Sequence, residues 1–535
     1  MRALSTGTGE GPPSRSADSP TSTRHRNNYA WSRHTASTDT SCHRPARTMT
    51  PHSSRSTIEL SQWRGRSGLT VDTVFENLQE RAFVSIDSTP KLARKVQVKA
   101  QKIDEKNKKE GRDPQWRPAH LKTISREIRQ GGIHLTPWDA IRILSRSSVL
   151  AGHGSSRALS QHWSSLRFLT ALQKNYYGHM ELSDDGRNPK FHRKSVQADD
   201  LGVAFGLQAA LKVASDLHPG HQFTFVNAEA ALEAGWTLRG RTTRERHRTR
   251  LHPSHFLIGV RKNEPLQMLA VNVKGSHTGL STELNQLVKG SEVVHSVATG
   301  PREAPTTIPG LFTASALAGK SGIEVRALSP GGTSTTPFPL DLDRRGPVDE
   351  KHYMGGITEH VDGQAKPRPG FHIPLEDSDW FSRALVNTAL ASLLAFAGDL
   401  VSARNFLTKR QRKRLGDGAE SSNYATSVRC DTTLCIGDIE FSGTDHVFRL
   451  HRKRIEVFSA IPTMLHERLA KGDVAGYFAL LPGVQEQWDA RRERAQRDWH
   501  GVLTMDNYGA LMGLRRMGEG KRFDDDPETC QRSPA

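Results

Sequence analysis

Cysteine is scarce in this chain, with four residues among 535. Cys42, Cys430, Cys435 and Cys530 are too few and too scattered for a disulfide framework or a four-ligand zinc site, so free thiols are the simpler interpretation. Acidic residues are also in the minority, because 57 Asp and Glu stand against 75 Lys and Arg and leave a formal net charge of +18. This excess of cations favours a polyanionic partner, and nucleic acid is the first candidate.

Long apolar segments are rare as well, since hydrophobic residues make up only 35% of the chain. The N-terminal sequence contains no apolar core segment of the kind that secretory signals carry, and we therefore expect a cytoplasmic protein. The most apolar stretch, residues 384–401, includes Asn387, Thr388 and Asp399 and is rich in Ala rather than Leu. It predicts a buried core helix, and no membrane partner is expected.

The composition changes along the chain and divides it into six regions. Lys91 to Gln130 holds 13 basic and 5 acidic residues, which is compatible either with solvated helix faces or with a surface that follows phosphates. We predict a disordered basic tail (1–60), a basic helical region (61–190), an α/β core (191–330), a linker (331–375), a C-terminal α+β region (376–500) and a C-terminal tail (501–535).

The α/β core is read from helical and apolar segments that alternate between residues 199 and 330. A helical pattern covers Asp199 to His218, and a second one covers Thr282 to Val297. Short apolar runs that predict strands begin at Phe223, His255, Leu266 and Ser321. The order helix, three strands, helix, strand predicts a small mixed sheet flanked by helices.

A hairpin is predicted where two of these strands are joined by Lys262 to Pro265, four residues with turn chemistry. If Arg261 pairs with Leu266, then His255 lies directly across from Asn272. Because side chains alternate along a strand, Asn272 and Lys274 share one face. Polar groups on an apolar face need partners, so this register predicts a cleft in which His255, Asn272 and Lys274 meet.

These segments resemble the PD-(D/E)XK, or restriction-endonuclease-like, nuclease superfamily over about residues 195–330, roughly a quarter of the chain. The resemblance is carried by Pro253-Ser254-His255, by Asn272-Val273-Lys274-Gly275, and by the helix that contains Gln286. It implies a restriction-endonuclease-like core, phosphodiester hydrolysis and one or two Mg²⁺ ions held by carboxylates. Two positions depart from the family pattern, because His255 stands in place of the strand acid and Asn272 in place of the Glu.

The resemblance, carried over residue by residue, yields the candidate site. Lys274, Asn272 and His255 are the candidate catalytic residues, and Asp199, Asp200, His255 and Asn272 are the candidate metal ligands. Glu229 is a further carboxylate near the site. Gln286 and six arginines before the site strand are candidate nucleic-acid contacts: Arg239, Arg241, Arg244, Arg246, Arg248 and Arg250. A second basic cluster, Thr408 to Arg414, is explained equally well by a helix C-terminus that favours cations.

Two functions remain open from the sequence. The favoured one is binding of nucleic acid, DNA before RNA, by a core that hydrolyses phosphodiesters with Mg²⁺ or has lost that activity with its ligands. The alternative is a non-catalytic basic scaffold that recruits a protein or RNA partner. The sequence predicts no particular oligomeric state.

Overall fold

A mixed seven-stranded sheet lies at the centre of the part of the chain that the computed structural model describes. The described residues are 70–112, 115–152, 162–188, 194–235, 251–319, 321–331, 338–352, 354–361, 364–415 and 430–518. They belong to one compact unit, Gly68–Ala535. The predicted tail at 1–60 lies outside the described residues.

The region predicted to be helical also contributes strands to the central sheet. Its elements are α1 (Val71–Gln79), β1 (Ala82–Asp87), α2 (Pro90–Lys109), α3 (Arg126–Gly131), β2 (Ile133–Leu135), α4 (Pro137–Ser148), β3 (Leu172–Lys174), β4 (Met180–Leu182) and α5 (Asp184–Arg187). The side chain of Thr136 caps α4, and Pro137 occupies its first turn. Burial alternates along β1, as is typical of a strand. The prediction that this region is purely helical is therefore corrected.

The predicted core follows in the expected order, with a short helix and three strands, β8, β9 and β10, in addition. It comprises α6 (Lys194–Leu217), β5 (Gln222–Asn227), α7 (Ala228–Leu232), β6 (His255–Val260), β7 (Gln267–Ser276), α8 (Leu280–Val294), β8 (Val297–Thr299), β9 (Thr306–Thr307), β10 (Gly310–Ala316) and β11 (Glu324–Leu328). The strand order of the sheet is β2-β1-β11-β10-β7-β6-β5. Strands β5, β6 and β7 are antiparallel neighbours, and β10 runs parallel to β7. The mixed α/β architecture is therefore confirmed.

Helices cover both faces of the sheet. Helix α6 lies close to β7 and β10 on one face, because Gly202 and Gly206 present no side chain there. A methyl group at Gly206 would come within 2.6 Å of the Thr313 hydroxyl oxygen. Helix α8 packs on the opposite face, and α2 packs against α8.

The predicted linker contains regular structure. Strands β12 (Ile357–Val361) and β13 (Gln364–Arg368) form a hairpin, and β14 (Phe371–Ile373) pairs with β8, which in turn pairs with β9. Phe371 and Ile373 are buried, so this segment is part of the folded unit. The linker prediction is corrected for these residues.

The C-terminal region combines helices with a five-stranded sheet. Its elements are α9 (Ser378–Phe396), α10 (Leu400–Phe406), α11 (Lys409–Leu415), β15 (Thr432–Ile436), β16 (Ile439–Leu450), β17 (Lys453–Pro462), α12 (Thr463–Ala470), α13 (Val474–Trp499), β18 (Gly501–Met505) and β19 (Leu511–Arg516). The helix break between α9 and α10 falls at Gly398, whose φ is +87°. As predicted, α9 is a buried helix. No helix among the described residues combines the length and apolarity that a membrane crossing needs.

Strands β18 and β19 form a hairpin within the segment that was predicted to be a tail. In the five-stranded sheet, with order β15-β16-β17-β19-β18, β19 pairs with β17 along Ile455 to Ala460. The indole nitrogen of Trp138 in α4 donates a hydrogen bond of 2.9 Å to the backbone oxygen of Met512 in β19. The hairpin is thus tied to the N-terminal helices as well as to its own sheet.

Candidate functional site

The predicted hairpin forms, but its register differs by one residue from the predicted one. His255 lies opposite Val271, not opposite Asn272. The reason is at the turn, where the backbone N–H of Leu266 donates to the oxygen of Phe338 at 2.8 Å and does not pair with the facing strand. Residues 261–266 therefore form a six-residue connection between β6 and β7, and Asn263 adopts a left-handed φ of 63° within it.

A shift of one residue moves a side chain to the other face of the sheet. His255 shares its face with Val271 and Val273, which is the face that α6 covers at Gly206. Asn272 points to the α8 face, where a methyl group at Gly290 would lie 3.2 Å from its Nδ2. The prediction that His255, Asn272 and Lys274 meet in one cleft is therefore wrong.

His255 is an interior residue. Only 4% of it is exposed, and its ring packs edge to face against Phe225. Burial lowers the pKa of His255 to about 4, so the ring is neutral at physiological pH. The Ser254 hydroxyl lies 3.2 Å from its Nδ1 and also donates to the backbone oxygen of Val271. These contacts hold the start of β6 against β7.

Lys274 lies at the end of β7 and forms an ion pair there. Its Nζ is 3.3 Å from Oδ1 of Asp199 in α6, and both side chains are about half exposed. The next carboxylate, Asp200, pairs with Arg167 instead. Both acids were expected in the first turn of their helix, but α6 begins earlier, at Lys194.

Gln286 has a structural contact. Its Nε2 donates a hydrogen bond of 2.7 Å to the backbone oxygen of Gly275, which fixes α8 to the end of β7. Its Oε1 is buried without a hydrogen-bond partner. Glu229, the further carboxylate considered for the site, lies in α7 and pairs with Arg414 at 3.3 Å.

The arrangement of these residues does not fit the Mg²⁺ that the resemblance implies. A Mg²⁺ site needs oxygen ligands that converge on one point, usually with at least one carboxylate. His255 is buried on the α6 face, Asn272 faces α8, and Asp199 and Asp200 are paired with cations of their own. We therefore derive no chemical step from a metal at these residues.

The second basic cluster serves the fold. Arg414 of α11 is fully buried, and its side chain contacts Glu233 at 2.7 Å and the backbone oxygen of Leu150 at 2.9 Å. Arg412 donates to the backbone oxygens of Arg404 and Leu407. These contacts satisfy carbonyls at the ends of neighbouring elements. The six arginines at 239–250 lie outside the described residues.

A positively charged groove lies between α2 and α8, within the region whose basic character the sequence indicates. Its volume is about 470 Å³. We call it the basic groove, and it is lined by Lys91, Arg94, Lys95, Val98, Lys99 and Lys102 of α2 with Leu280 and Leu284 of α8. Among the residues that the structure describes, no acidic side chain lines it. Within the described part of the chain, none of the five cations forms an ion pair.

The structure also brings together three side chains that sequence reasoning did not connect. Asp399, Cys430 and His466 place one ligand atom each within 4.8 Å of the others, and they are the group of three potential metal ligands found among the described residues. They are separated by 31 and 36 positions and come from different elements. No spacing motif links them, so the sequence offered no signal for the cluster.

Comparison with known proteins gives no further assignment. No protein-family model, no curated protein and no solved structure matches the chain.

Proposed function

We propose that the protein binds nucleic acid, duplex DNA in particular, through the basic groove between α2 and α8. The observation that carries the proposal is the row of five cations without ion-pair partners among the described residues, in a groove that no acidic side chain lines. A lysine or arginine without an ion-pair partner contributes more binding free energy to a phosphate contact than a cation that a neighbouring carboxylate already neutralises. The favourable contribution comes from the counterions that the phosphates release on binding.

The spacing of the cations suits a nucleic-acid backbone. Lys91 and Lys102 are 11 residues apart on one helix, which corresponds to about 17 Å at 1.5 Å per residue. Duplex DNA carries a charge about every 1.7 Å along its axis, so several phosphates fall within this length. The cations recur at intervals of one, three or four residues and all line the groove.

The composition of the groove favours contacts with the backbone over contacts with bases. Its apolar residues are Val98, Leu280 and Leu284, and no aromatic side chain from the described part of the chain lines it. Proteins that hold single strands use aromatic rings on which bases stack. The groove therefore favours a duplex, and binding is expected to be largely independent of sequence.

The order of elements also supports the proposal. Helix α6, strands β5 to β7 and helix α8 occur in the order that the sequence predicts for the mixed α/β core, the region from which the nucleic-acid expectation comes. The basic groove contains Leu280 and Leu284 of α8, the helix that directly follows the Asn272-Val273-Lys274 strand. Because the candidate ligands do not converge, the proposal is for binding without Mg²⁺-dependent cleavage at those residues.

A pair of matched variants of the full-length chain tests the groove. The groove variant carries Lys95→Ala, Lys99→Ala and Lys102→Ala, and the control carries Lys106→Ala, Lys108→Ala and Lys109→Ala. Both variants lose three positive charges from α2, but the control positions do not line the groove. Alanine favours helix, so neither variant is expected to weaken α2.

Fluorescence anisotropy with a labelled duplex DNA, over a series of salt concentrations, is the measurement. We expect the groove variant to bind at least tenfold more weakly and to lose about 2 to 3 from the slope of log K against log salt, since each phosphate contact contributes about 0.9. Equal losses in both variants would mean that binding reflects bulk charge only. If the parent chain does not bind DNA, the scaffold alternative is favoured. Binding of a protein or RNA partner through the same groove would then support that alternative.

A further inference from the structure

We infer that Asp399, Cys430 and His466 form a binding site for a transition-metal ion, zinc in particular, to which they supply three ligands. The three residues are called the DCH cluster below. Asp399 lies between α9 and α10, Cys430 precedes β15, and His466 belongs to α12. This inference is independent of the basic groove, because none of the three residues lines it.

The distances within the DCH cluster are close to those of a tetrahedral zinc site. The Cys430 sulfur lies 3.5 Å from Nε2 of His466, and the same Nε2 lies 2.8 Å from Oδ2 of Asp399. Zinc bonds of about 2.3 Å to sulfur and about 2.0 Å to nitrogen or oxygen place tetrahedral ligands about 3.3 to 3.5 Å apart. The sulfur and nitrogen are already at that separation, and the nitrogen and oxygen need to part by about 0.5 Å.

The arrangement differs from that of a nucleophilic triad. In a triad, the histidine uses one ring nitrogen for the nucleophile and the other for the carboxylate. Here both Cys430 and Asp399 face the same nitrogen, Nε2 of His466. The three ligand atoms lie within 4.8 Å of one another, an arrangement that suits a bound ion better than a proton relay.

Neighbouring groups orient the carboxylate. Oδ1 of Asp399 accepts a hydrogen bond of 2.9 Å from the backbone N–H of Ser402, so Oδ2 is left to face His466. A carboxylate held by a second hydrogen bond is the usual form of a metal ligand.

The donor set selects among metals. A thiolate with an imidazole and one carboxylate suits zinc and other borderline ions, whereas Mg²⁺ and Ca²⁺ prefer oxygen ligands alone. The deprotonated cysteine and the carboxylate carry two negative charges, which a divalent cation neutralises in this half-buried place.

Metal binding by the purified full-length chain is the primary test. After treatment with a chelator and dialysis, we expect the chain to take up one Zn²⁺ that withstands a competing chromophoric chelator, and to ignore Mg²⁺. Co²⁺ in place of zinc should give a sulfur-to-cobalt charge-transfer band with the visible absorption of tetrahedral cobalt. A folded parent chain that binds no stoichiometric zinc, or binds Co²⁺ without the sulfur band, would overturn the inference.

Variants assign the site to these residues. Cys430→Ser should remove the charge-transfer band, and His466→Gln and Asp399→Asn should each weaken zinc binding at least tenfold, with Asn keeping an acceptor for the Ser402 N–H. The control is Asp431→Asn, which changes an exposed carboxylate next to the cluster and should leave zinc affinity unchanged. Persistence of the band in Cys430→Ser would place the metal on another cysteine and refute the site.

A second readout covers the case in which a variant folds poorly. Zinc is expected to raise the melting temperature of the parent chain and of Asp431→Asn, because a ligand that binds only the folded state stabilises it. X-ray absorption of the zinc-loaded parent chain should show a single sulfur neighbour together with nitrogen or oxygen. Two or more sulfur neighbours, or none, would contradict the DCH cluster as the site.

Discussion

The side chains of His255 and Asn272 lie on opposite faces of the central sheet, although they are on paired strands. His255 faces α6 with Val271, and Asn272 faces α8 beside Gly290. A register that differed by one residue would have placed them side by side. The site that the sequence suggests is therefore divided by the sheet itself, and the chemistry assigned to it is not assembled.

Lys274 should consequently have little effect on either binding or cleavage. Its ammonium group pairs with Asp199 at the exposed end of β7 and lies outside the basic groove. We expect the parent chain and Lys274→Ala to show no nicking of plasmid DNA in Mg²⁺, and to bind duplex DNA with the same salt slope. Plasmid nicking by the parent chain that disappears in Lys274→Ala would instead establish a metal-dependent nuclease.

Acid should destabilise the protein through its buried histidines. Burial lowers the pKa of His255 to about 4, and burial lowers the pKa values of His162, beside His446, and of His295, beside Arg368, to about 3. Between these values and about 6.5 the unfolded chain binds more protons than the folded one, so stability falls as the pH falls through this range. Each histidine is expected to cost about 2 kcal/mol between pH 7 and pH 5.

Urea unfolding at pH 7 and pH 5 measures this effect. The fall in unfolding free energy should be smaller by about 2 kcal/mol in His255→Asn than in the parent chain. His120→Asn serves as the control, because His120 is exposed. An equal fall in parent chain and His255→Asn would show that His255 is not the buried neutral group described above.

Close packing of α6 on the sheet makes Gly206 intolerant of a side chain. A methyl group there would lie 2.6 Å from the Thr313 hydroxyl and 2.7 Å from a Val273 methyl. We expect Gly206→Ala to destabilise the protein by about 1 to 3 kcal/mol, as overpacking does elsewhere. The matched control is Gly483→Ala in α13, where no atom lies within 4 Å of the added carbon.

That control should shift thermal unfolding in the opposite direction. Alanine inside an exposed turn of helix is favoured over glycine by about 1 kcal/mol, so Gly483→Ala should raise the melting temperature slightly. Destabilisation by both substitutions, to the same extent, would argue that the effect at Gly206 does not come from its contact with β7 and β10.

Asp506 forms ion pairs with two buried arginines, and we expect its negative charge to contribute strongly to the free energy of unfolding. Its carboxylate contacts Arg146 and lies 3.0 Å from Arg142, while its Oδ1 accepts the N–H groups of Tyr508 and Ala510. Burial raises the pKa of Asp506, but the two arginines outweigh burial and lower it overall. Asp506→Asn keeps the shape of the side chain and leaves the arginines without a counter-charge.

We expect Asp506→Asn to cost about 3 to 5 kcal/mol, the range found when one partner of a buried ion pair is removed. The comparison is Arg302→Ala, which breaks an exposed pair with Glu376 and should cost less than about 1 kcal/mol. Chemical denaturation of both variants at neutral pH measures the difference. Similar losses in the two variants would contradict the buried, charged character of Asp506.

The strands of the core were predicted where apolar residues run continuously. The runs that begin at Phe223, His255 and Leu266 form β5, β6 and β7. Strand β10 was missed, because Gly310, Thr313, Ala314 and Ser315 are small residues without a strand signal. Their small size follows from their position between α6 and α8, which press on both faces of the sheet.

Other features depend on contacts that no local pattern contains. The register of the hairpin follows from the bond between Leu266 and Phe338, which are 72 positions apart. The DCH cluster likewise forms only when α9, α12 and the start of β15 come together. In contrast, the basic character of α2 is visible in its sequence, since it depends on residues within a single helix.

The pairing of β19 with β17 has a practical bearing on any shortened version of this protein. A fragment that stops at residue 500 would lack the hairpin that covers β17, and the amide and carbonyl groups of Ile455 to Ala460 along that side would be left open. An exposed edge strand can pair with a strand of another chain, so such a fragment would be prone to self-association even with every other element intact.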